Sequence, residues 1–186
     1  MRLKMVSHRD ALAFIEHKFG SRGLQKVITS LSDSDKETAT VHSKAINSWV
    51  EVDAHVRLLE AIVKELNHGE DGILLETGEW IAMKQLNSIY RAFLVVVSPD
   101  FMLKRSSTIF HTFYDEGAME VKTLAPGNVE CTFRGFTKQQ QPIELSIIGW
   151  FAGAAKLSRA KNIGLDITTS LSEDKGYFKV LFTYTK

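Results

Sequence analysis

The sequence predicts an α+β fold, in which a helical N-terminal half is followed by an antiparallel ββαββ sheet with one covering helix. Three observations predict it. Apolar residues recur at helical spacing up to about residue 116, they alternate with polar residues in four later segments, and one helical segment separates the second of these from the third. An antiparallel sheet needs one face covered, and this helix is the obvious cover.

The chain has 186 residues, enough for one domain or for two small subdomains that share a core. We predict a helical subdomain over residues 1–116 and a ββαββ subdomain over residues 117–186, joined in one compact unit. The 23 basic and 22 acidic residues give a net charge of +1, which argues against nucleic acid as the main partner.

The single cysteine, Cys131, excludes an intramolecular disulfide and a cysteine-based zinc site, and it fits a cytoplasmic protein. Its alternation with Val129 and Phe133 predicts that it points into the core rather than acting as a nucleophile. No apolar run is long enough to span a bilayer, and the N-terminus lacks the features of a secretory signal.

In the N-terminal half, apolar residues predict a helix that ends at Gly20 and a short second helix capped by Ser21. The polar run at 32–40 is predicted to be a connection. Asp53 is predicted to cap a third helix, and a long helical pattern over 73–97 is interrupted by Gly78. Ser98 is then the cap of a further helix, with a proline in its first turn.

After Gly117 the period of the pattern changes to two, which predicts a hairpin over about 118–134. The covering helix is predicted from about Pro142 to Lys161, and two strands follow at about 163–171 and 178–184. Within this helix, Gly149 and Gly153 lie one turn apart. This spacing favours close packing against a neighbouring element, with a subunit contact as the alternative.

Two segments, "SPDFMLKRSSTIFHTFYDEGAMEVKTLAPGNVECTFRGF" and "LSIIGWFAGAAKLSRAKNIGLDITTSL…GYFKVLFTY", carry a resemblance. The order of their elements resembles the haem nitric-oxide/oxygen-binding superfamily and its haem-free relatives, the 4-vinyl-reductase-type ligand-binding domains. Within that group the chain looks closest to bacterial single-domain members. The resemblance implies a non-enzymatic sensor that binds a small molecule between helices and sheet and signals to a separate protein partner or a dimer mate.

The haem-binding branch of this superfamily has features that do not carry over to the sequence. Its Tyr-x-Ser-x-Arg motif falls on "TFRGF" at residues 132–136, and its proximal histidine falls near Lys104 and Arg105. We therefore expect a haem-free protein with no cofactor. If haem binds, His111 on the same helix is the candidate axial ligand. The six histidines show no metal-binding spacing, so no metal site is expected.

The resemblance also implies a set of pocket residues, for which an apolar small molecule would be a suitable ligand. Plain core packing is the alternative interpretation of these residues. The predicted ligand-binding residues are Phe93, Phe101, Ile109, Phe113, Tyr114, Met119, Phe133, Trp150 and Phe151.

Other functions stay open at this point. A protein–protein interaction or scaffold domain with a solid core and no ligand is the main alternative, and a haem-based gas sensor is a weaker one. An enzyme acting on a tetrapyrrole or another hydrophobic substrate has no candidate acid–base pair, so we expect no catalytic residues. A helix-turn-helix near the N-terminus would present little beyond Arg22 and Lys26 to DNA.

Overall fold

The computed structural model describes residues 1–66, 71–89, 99–158 and 160–185, and it confirms the α+β class. The helices are α1 (Met5–Ser30), α2 (Asp33–Thr40), α3 (Val52–Leu66), α4 (Gly72–Ile89), α5 (Pro99–Phe113) and α6 (Gln141–Leu157). The strands are β1 (Arg2–Lys4), β2 (Trp49–Glu51), β3 (Ala118–Ala125), β4 (Asn128–Arg134), β5 (Lys161–Thr169) and β6 (Tyr177–Thr185).

α1 consists of two helical segments that meet at Gly20, as predicted. The φ of 69° and ψ of 179° at Gly20 are non-helical and produce a kink there. The prediction that residues 32–40 form a connection is wrong, because they form α2. Ser32 caps α2 by accepting a hydrogen bond from the backbone N–H of Asp35, and two acidic residues in the first turn suit the positive end of the helix dipole.

The later helices differ from the prediction mainly at their ends. α3 begins at Val52, so Asp53 lies in its first turn rather than at the cap. α4 is continuous through Gly78, which marks a helix crossing and not an interruption. α5 begins at Pro99. The predicted cap Ser98 and the end of the 73–97 pattern lie outside the described residues.

Two antiparallel sheets are present in the described part of the chain. β1 and β2 form a two-stranded sheet, and their three-residue length gave no readable period in the sequence. The larger sheet has the strand order β3-β4-β6-β5, with every neighbouring pair antiparallel. α6 ends at Leu157, earlier than predicted, and β5 ends at Thr169, because Leu171 begins a 3₁₀ turn capped by Ser170.

α6 is packed on two sides. Its sheet side places Ile148 and Phe151 against Cys131, Val180 and Phe182. Its other side crosses α4 so closely that glycine is required on both helices.

The atoms that an added Cβ would contact show how closely α4 and α6 approach each other. A Cβ on Gly149 would collide with the carbonyl oxygen of Leu75, and one on Gly153 would lie 2.8 Å from the carbonyl oxygen of Glu79. Close packing therefore explains the two glycines of α6. Among the described residues, none of the helices has the length and apolar character needed to cross a membrane.

Candidate ligand-binding site

A cavity of about 60 Å³ lies where α1, α3 and α4 meet α5 and α6. Most of its lining is apolar. It is lined by Leu3, Ser7, His55, Gly78, Ile81, Ile109, Phe110, Phe113, Tyr114, Ser146, Ile147, Trp150 and Phe151. The sequence predicted a pocket between helices and sheet. The cavity instead lies among helices, because α6 stands between it and strands β3–β6, none of which contributes to the wall.

The structure brings five of the predicted ligand-binding residues together on the cavity wall: Ile109, Phe113, Tyr114, Trp150 and Phe151. Their ligand-binding role stays a prediction. Phe93 and the side chain of Phe101 lie outside the described residues.

The other predicted residues lie elsewhere. Met119 is buried on β3. Phe133 on β4 stacks on Phe178 with ring centroids 4.5 Å apart, and its ring also lies 6.3 Å from that of Phe110 and 5.6 Å from that of Phe151, so it sits directly behind the cavity wall. His111 is exposed on α5 and is not part of the cavity wall.

Half-buried aromatic side chains narrow the cavity. The ring centroid of Trp150 lies 5.9 Å from that of Phe113 and 5.4 Å from that of Phe151, both in edge-to-face geometry. Phe110 stacks on Tyr114 at 4.6 Å. Each edge-to-face contact between two half-buried rings stabilises the wall by only about 0.5–1.5 kcal/mol.

Two buried histidines adjoin the cavity, and sequence reasoning missed them. His55 on α3 is 2% exposed and lines the cavity, and His8 on α1 is 1% exposed, with ring centroids 5.5 Å apart. Within the described residues, Nδ1 of His55 and both ring nitrogens of His8 have no hydrogen-bond partner. Unpartnered polar atoms in a protein interior are rare and call for an explanation.

A sequence signal for this pair did exist. Each histidine heads an apolar stripe at i, i+4 and i+7: His8 precedes Leu12 and Ile15, and His55 precedes Leu59 and Ile62. This spacing places both imidazoles on the buried faces of their helices. That the two faces meet could not be read from the sequence, because it depends on how α1 packs on α3.

Burial keeps both imidazoles neutral. It lowers the pKa of His8 from its usual 6.5 to about 4, and the charge of Asp35 opposes this shift. The pKa of His55 is lowered well below 6.5 by burial and further by neighbouring His8. A neutral imidazole carries one N–H and one nitrogen lone pair, so each ring can bind a metal or accept a hydrogen bond at neutral pH.

A chain of hydrogen bonds links the cavity wall to the helices behind it. The indole N–H of Trp150 donates to Oε1 of Gln85 at 3.1 Å. Nε2 of Gln85 donates to Oδ2 of buried Asp10 at 3.2 Å, and Lys84 Nζ lies 2.9 Å from Oδ1 of Asp10. Since these residues come from α6, α4 and α1, a ligand that displaces Trp150 would disturb three helices at once.

Among the described residues that line the cavity, His55 offers an imidazole and Tyr114 a hydroxyl that could coordinate a metal-containing group. No Lys or Arg of the described residues lines the cavity, so no partner for haem carboxylates is seen there. The described residues contain no cluster of three or more His, Cys, Asp or Glu placed to hold a bare metal ion. Ligand pockets usually have volumes of roughly 300 Å³ or more. A haem would fit only if the half-buried aromatic residues moved.

The sequence matches no family model and no curated protein. Solved structures do match. A point mutant of an H-NOX protein from K. algicida, in its Fe(II) unliganded form, has a TM-score of 0.76 at 16% identity, over 99% of this chain and 97% of that one. An H-NOX protein from S. oneidensis in the Fe(II)NO ligation state has a TM-score of 0.72 at 8% identity, over 99% and 100%.

A third match is a structure described as probing haem distortion in the H-NOX family, with a TM-score of 0.72 at 11% identity over 99% and 96% of the two chains. This likeness corrects the expectation that no cofactor binds, because solved proteins of this fold are described with Fe(II) and with haem. The likeness supports neither the 4-vinyl-reductase part of the resemblance nor the haem-free expectation. At these identities it establishes that the chain has the H-NOX fold.

Proposed function

We propose that this chain is a non-enzymatic sensor module that binds a small molecule in the cavity between α1, α3 and α4 on one side and α5 and α6 on the other. Ligand occupancy shifts α5 against α6, which stays packed on α4, and a separate protein or a second copy of the chain reads that shift. A cytoplasmic location, where Cys131 would stay reduced, is part of the proposal. The division into subdomains 1–116 and 117–186 stays a prediction.

The observation that carries the proposal is the cavity itself. It is almost wholly apolar, yet it is lined by His55, whose buried Nδ1 has no partner among the described residues. Such an atom destabilises a packed core, because leaving it unpaired costs about 1–3 kcal/mol. A bound molecule that engaged His55 would remove this cost.

Haem is the candidate cofactor that the H-NOX fold suggests for this cavity. When bound, it would supply an iron able to take a diatomic gas. The chain itself would contribute the neutral imidazole of His55 as an electron-pair donor. The side chains of Phe113, Trp150 and Phe151 would have to move to make room for the haem.

A scaffold function without a ligand is the second candidate, and the small volume of the cavity favours it. About 60 Å³ holds only a few waters or a very small molecule, and edge-to-face aromatic contacts already occupy the surrounding space. In that case the module would act through its surface alone.

Purification of the full chain from its native host, followed by mass spectrometry and absorbance spectroscopy, tests the proposal. We expect a co-purified small molecule, or haemin binding on titration with a rise in melting temperature. An Ile109→Trp variant, which fills the cavity from α5, should lose this binding. The matched control is Ile163→Trp at a half-buried position on β5, outside the cavity wall. If no small molecule co-purifies with wild type and haemin does not bind to it, the result favours the scaffold function.

A further inference from the structure

The cavity wall carries no charged side chain among the described residues. No Lys, Arg, Asp or Glu of the described chain lines it. His55 is neutral, because burial and neighbouring His8 lower the pKa of its imidazole well below 6.5. Tyr114 keeps its proton, because burial raises the pKa of its hydroxyl. Since burying a charge without a partner is very unfavourable, this wall suits an uncharged ligand.

The volume of the cavity limits the ligand to a few heavy atoms. An engineered protein cavity of about 150 Å³ binds benzene, whereas this cavity has a volume of about 60 Å³. Most of the surrounding surface is hydrocarbon, from the isoleucines Ile81, Ile109 and Ile147 and from aromatic rings. A ligand that fits without displacing these side chains is therefore smaller than benzene and mostly apolar.

His55 indicates which polar group the ligand carries. Among the described lining residues, His55 alone has a buried side-chain nitrogen or oxygen without a hydrogen-bond partner. Two other polar groups of the wall are engaged, because the indole N–H of Trp150 donates to Gln85 and the hydroxyl of Ser7 accepts from Gln85. A neutral imidazole offers one N–H and one lone pair. A hydroxyl group can pair with either, since it both donates and accepts.

We infer that the ligand of this cavity is a short-chain alcohol, whose hydroxyl group pairs with the imidazole of His55 and whose alkyl chain packs against the isoleucines and aromatic rings of the wall. The inference rests on the proposed function and names the chemical class of its ligand. Such a molecule fits the cavity as it stands, whereas a haem requires aromatic side chains to move. A water molecule is a poorer occupant, because a buried water makes about three hydrogen bonds and this wall is almost wholly apolar.

The probes are 1-propanol, 1-chloropropane and propanoate, which share a three-carbon chain and carry a hydroxyl, a halogen and a charge. Each is titrated into the full chain and followed by the NMR shifts of the methyl groups that line the cavity. We expect wild type to bind 1-propanol with a millimolar dissociation constant, as its few atoms permit, and not to bind propanoate. His111→Gln is the matched control, at an exposed position outside the wall, and should behave like wild type.

His55→Leu should bind 1-propanol roughly three- to tenfold less tightly than wild type, because the hydrogen bond is lost. It should bind 1-chloropropane at least as tightly as wild type, since leucine adds apolar surface to the wall. This opposite response separates a lost hydrogen bond from a damaged fold, which would weaken the binding of both probes. Ile109→Trp, which fills the cavity, should bind neither.

The outcomes separate failure of this inference from failure of the proposed function. If His55→Leu binds 1-propanol as tightly as wild type, or propanoate competes with 1-propanol, the assignment of the ligand is overturned while a ligand-binding cavity stands. Binding of 1-propanol that survives in Ile109→Trp lies at another site and also overturns it. If 1-propanol does not bind but another small molecule co-purifies or haemin binds, the ligand class is wrong and the proposed function stands. If nothing binds wild type and nothing co-purifies, both proposals fail.

Discussion

The two sides of α6 that face other helices are built in opposite ways. Toward α4, glycines on both helices bring backbone against backbone, with no room for even a methyl group. Toward α5, the same helix presents the half-buried rings of Trp150 and Phe151 to a cavity. One contact is fixed and the other is adjustable, and this is the arrangement that a ligand-responsive helix needs.

The two sides also differ in whether their buried polar atoms have hydrogen-bond partners. Beside the cavity, two imidazoles are buried with nitrogens that have no partner among the described residues. The crossing, in contrast, consists of backbone and small side chains. We therefore expect substitutions at the crossing to change stability most, and changes around the cavity to act mainly through protonation and ligand binding.

The largest effect should come from filling the crossing. A Cβ on Gly78 would collide with the carbonyl oxygen of Ser146 and lie 2.8 Å from the backbone nitrogen of Trp150. Because backbone cannot swing aside, Gly78→Ala should lower the free energy of unfolding by about 3 kcal/mol, measured by urea denaturation. Gly72→Ala is the control, since a Cβ there meets nothing within 4 Å. Equal stabilities of the two variants would show that the crossing is not close-packed.

The second effect is a loss of stability in acid. The folded-state pKa of His8 is about 4, below its usual 6.5, so the unfolded chain binds more protons between these values. The stabilisation is present above pH 6.5 and is lost as pH falls toward 4. His8 alone should make the fold about 2 kcal/mol less stable at pH 5 than at pH 7.

The pH dependence can be assigned with two variants. His8→Leu should flatten the curve of unfolding free energy against pH between 4.5 and 7, while His111→Gln, at an exposed position, should leave it unchanged. A His8→Leu curve parallel to that of wild type would show that the buried pair does not titrate as the structure implies.

A smaller effect should follow from breaking the link behind the cavity. Trp150→Phe keeps an aromatic ring at this position but removes the N–H that donates to Gln85. This loss should lower the free energy of unfolding by about 1 kcal/mol. The measurement is the urea midpoint at pH 7. Trp80→Phe serves as the control, because Trp80 is also half-buried and its contacts are with the rings of Phe14 and His17 and with Lys84. Equal losses would assign the effect to ring area alone.

Sequence patterns predicted the parts of this fold that have a strong period. The alternation in β3, β4 and β6 and the proline in the first turn of α5 were readable. α2 was missed because its signal is a Ser32 cap with acidic residues and not an apolar stripe.

The candidate site was only partly predictable, for physical reasons. The aromatic residues of α5 and α6 could be proposed from their segments, since each lies on an apolar face. His8 and His55 could not be paired, because their contact depends on how two helices pack. For the same reason, Met119 and Phe133 were assigned to the pocket through the resemblance, although neither lines the cavity.

The smallest effect should come from the ion pair at the edge of the crossing. Lys156 on α6 places Nζ 2.6 Å from Oε1 of Glu79 on α4, but both side chains are partly exposed. Solvent screening limits such a pair to about 1 kcal/mol or less. A double-mutant cycle with Lys156→Met and Glu79→Gln should give a coupling energy in that range, falling with added salt. A coupling comparable to the Gly78→Ala loss would mean that charge, and not the close approach of two backbones, holds α4 against α6. The fixed side of α6 would then be as adjustable, with pH and salt, as the side that faces the cavity.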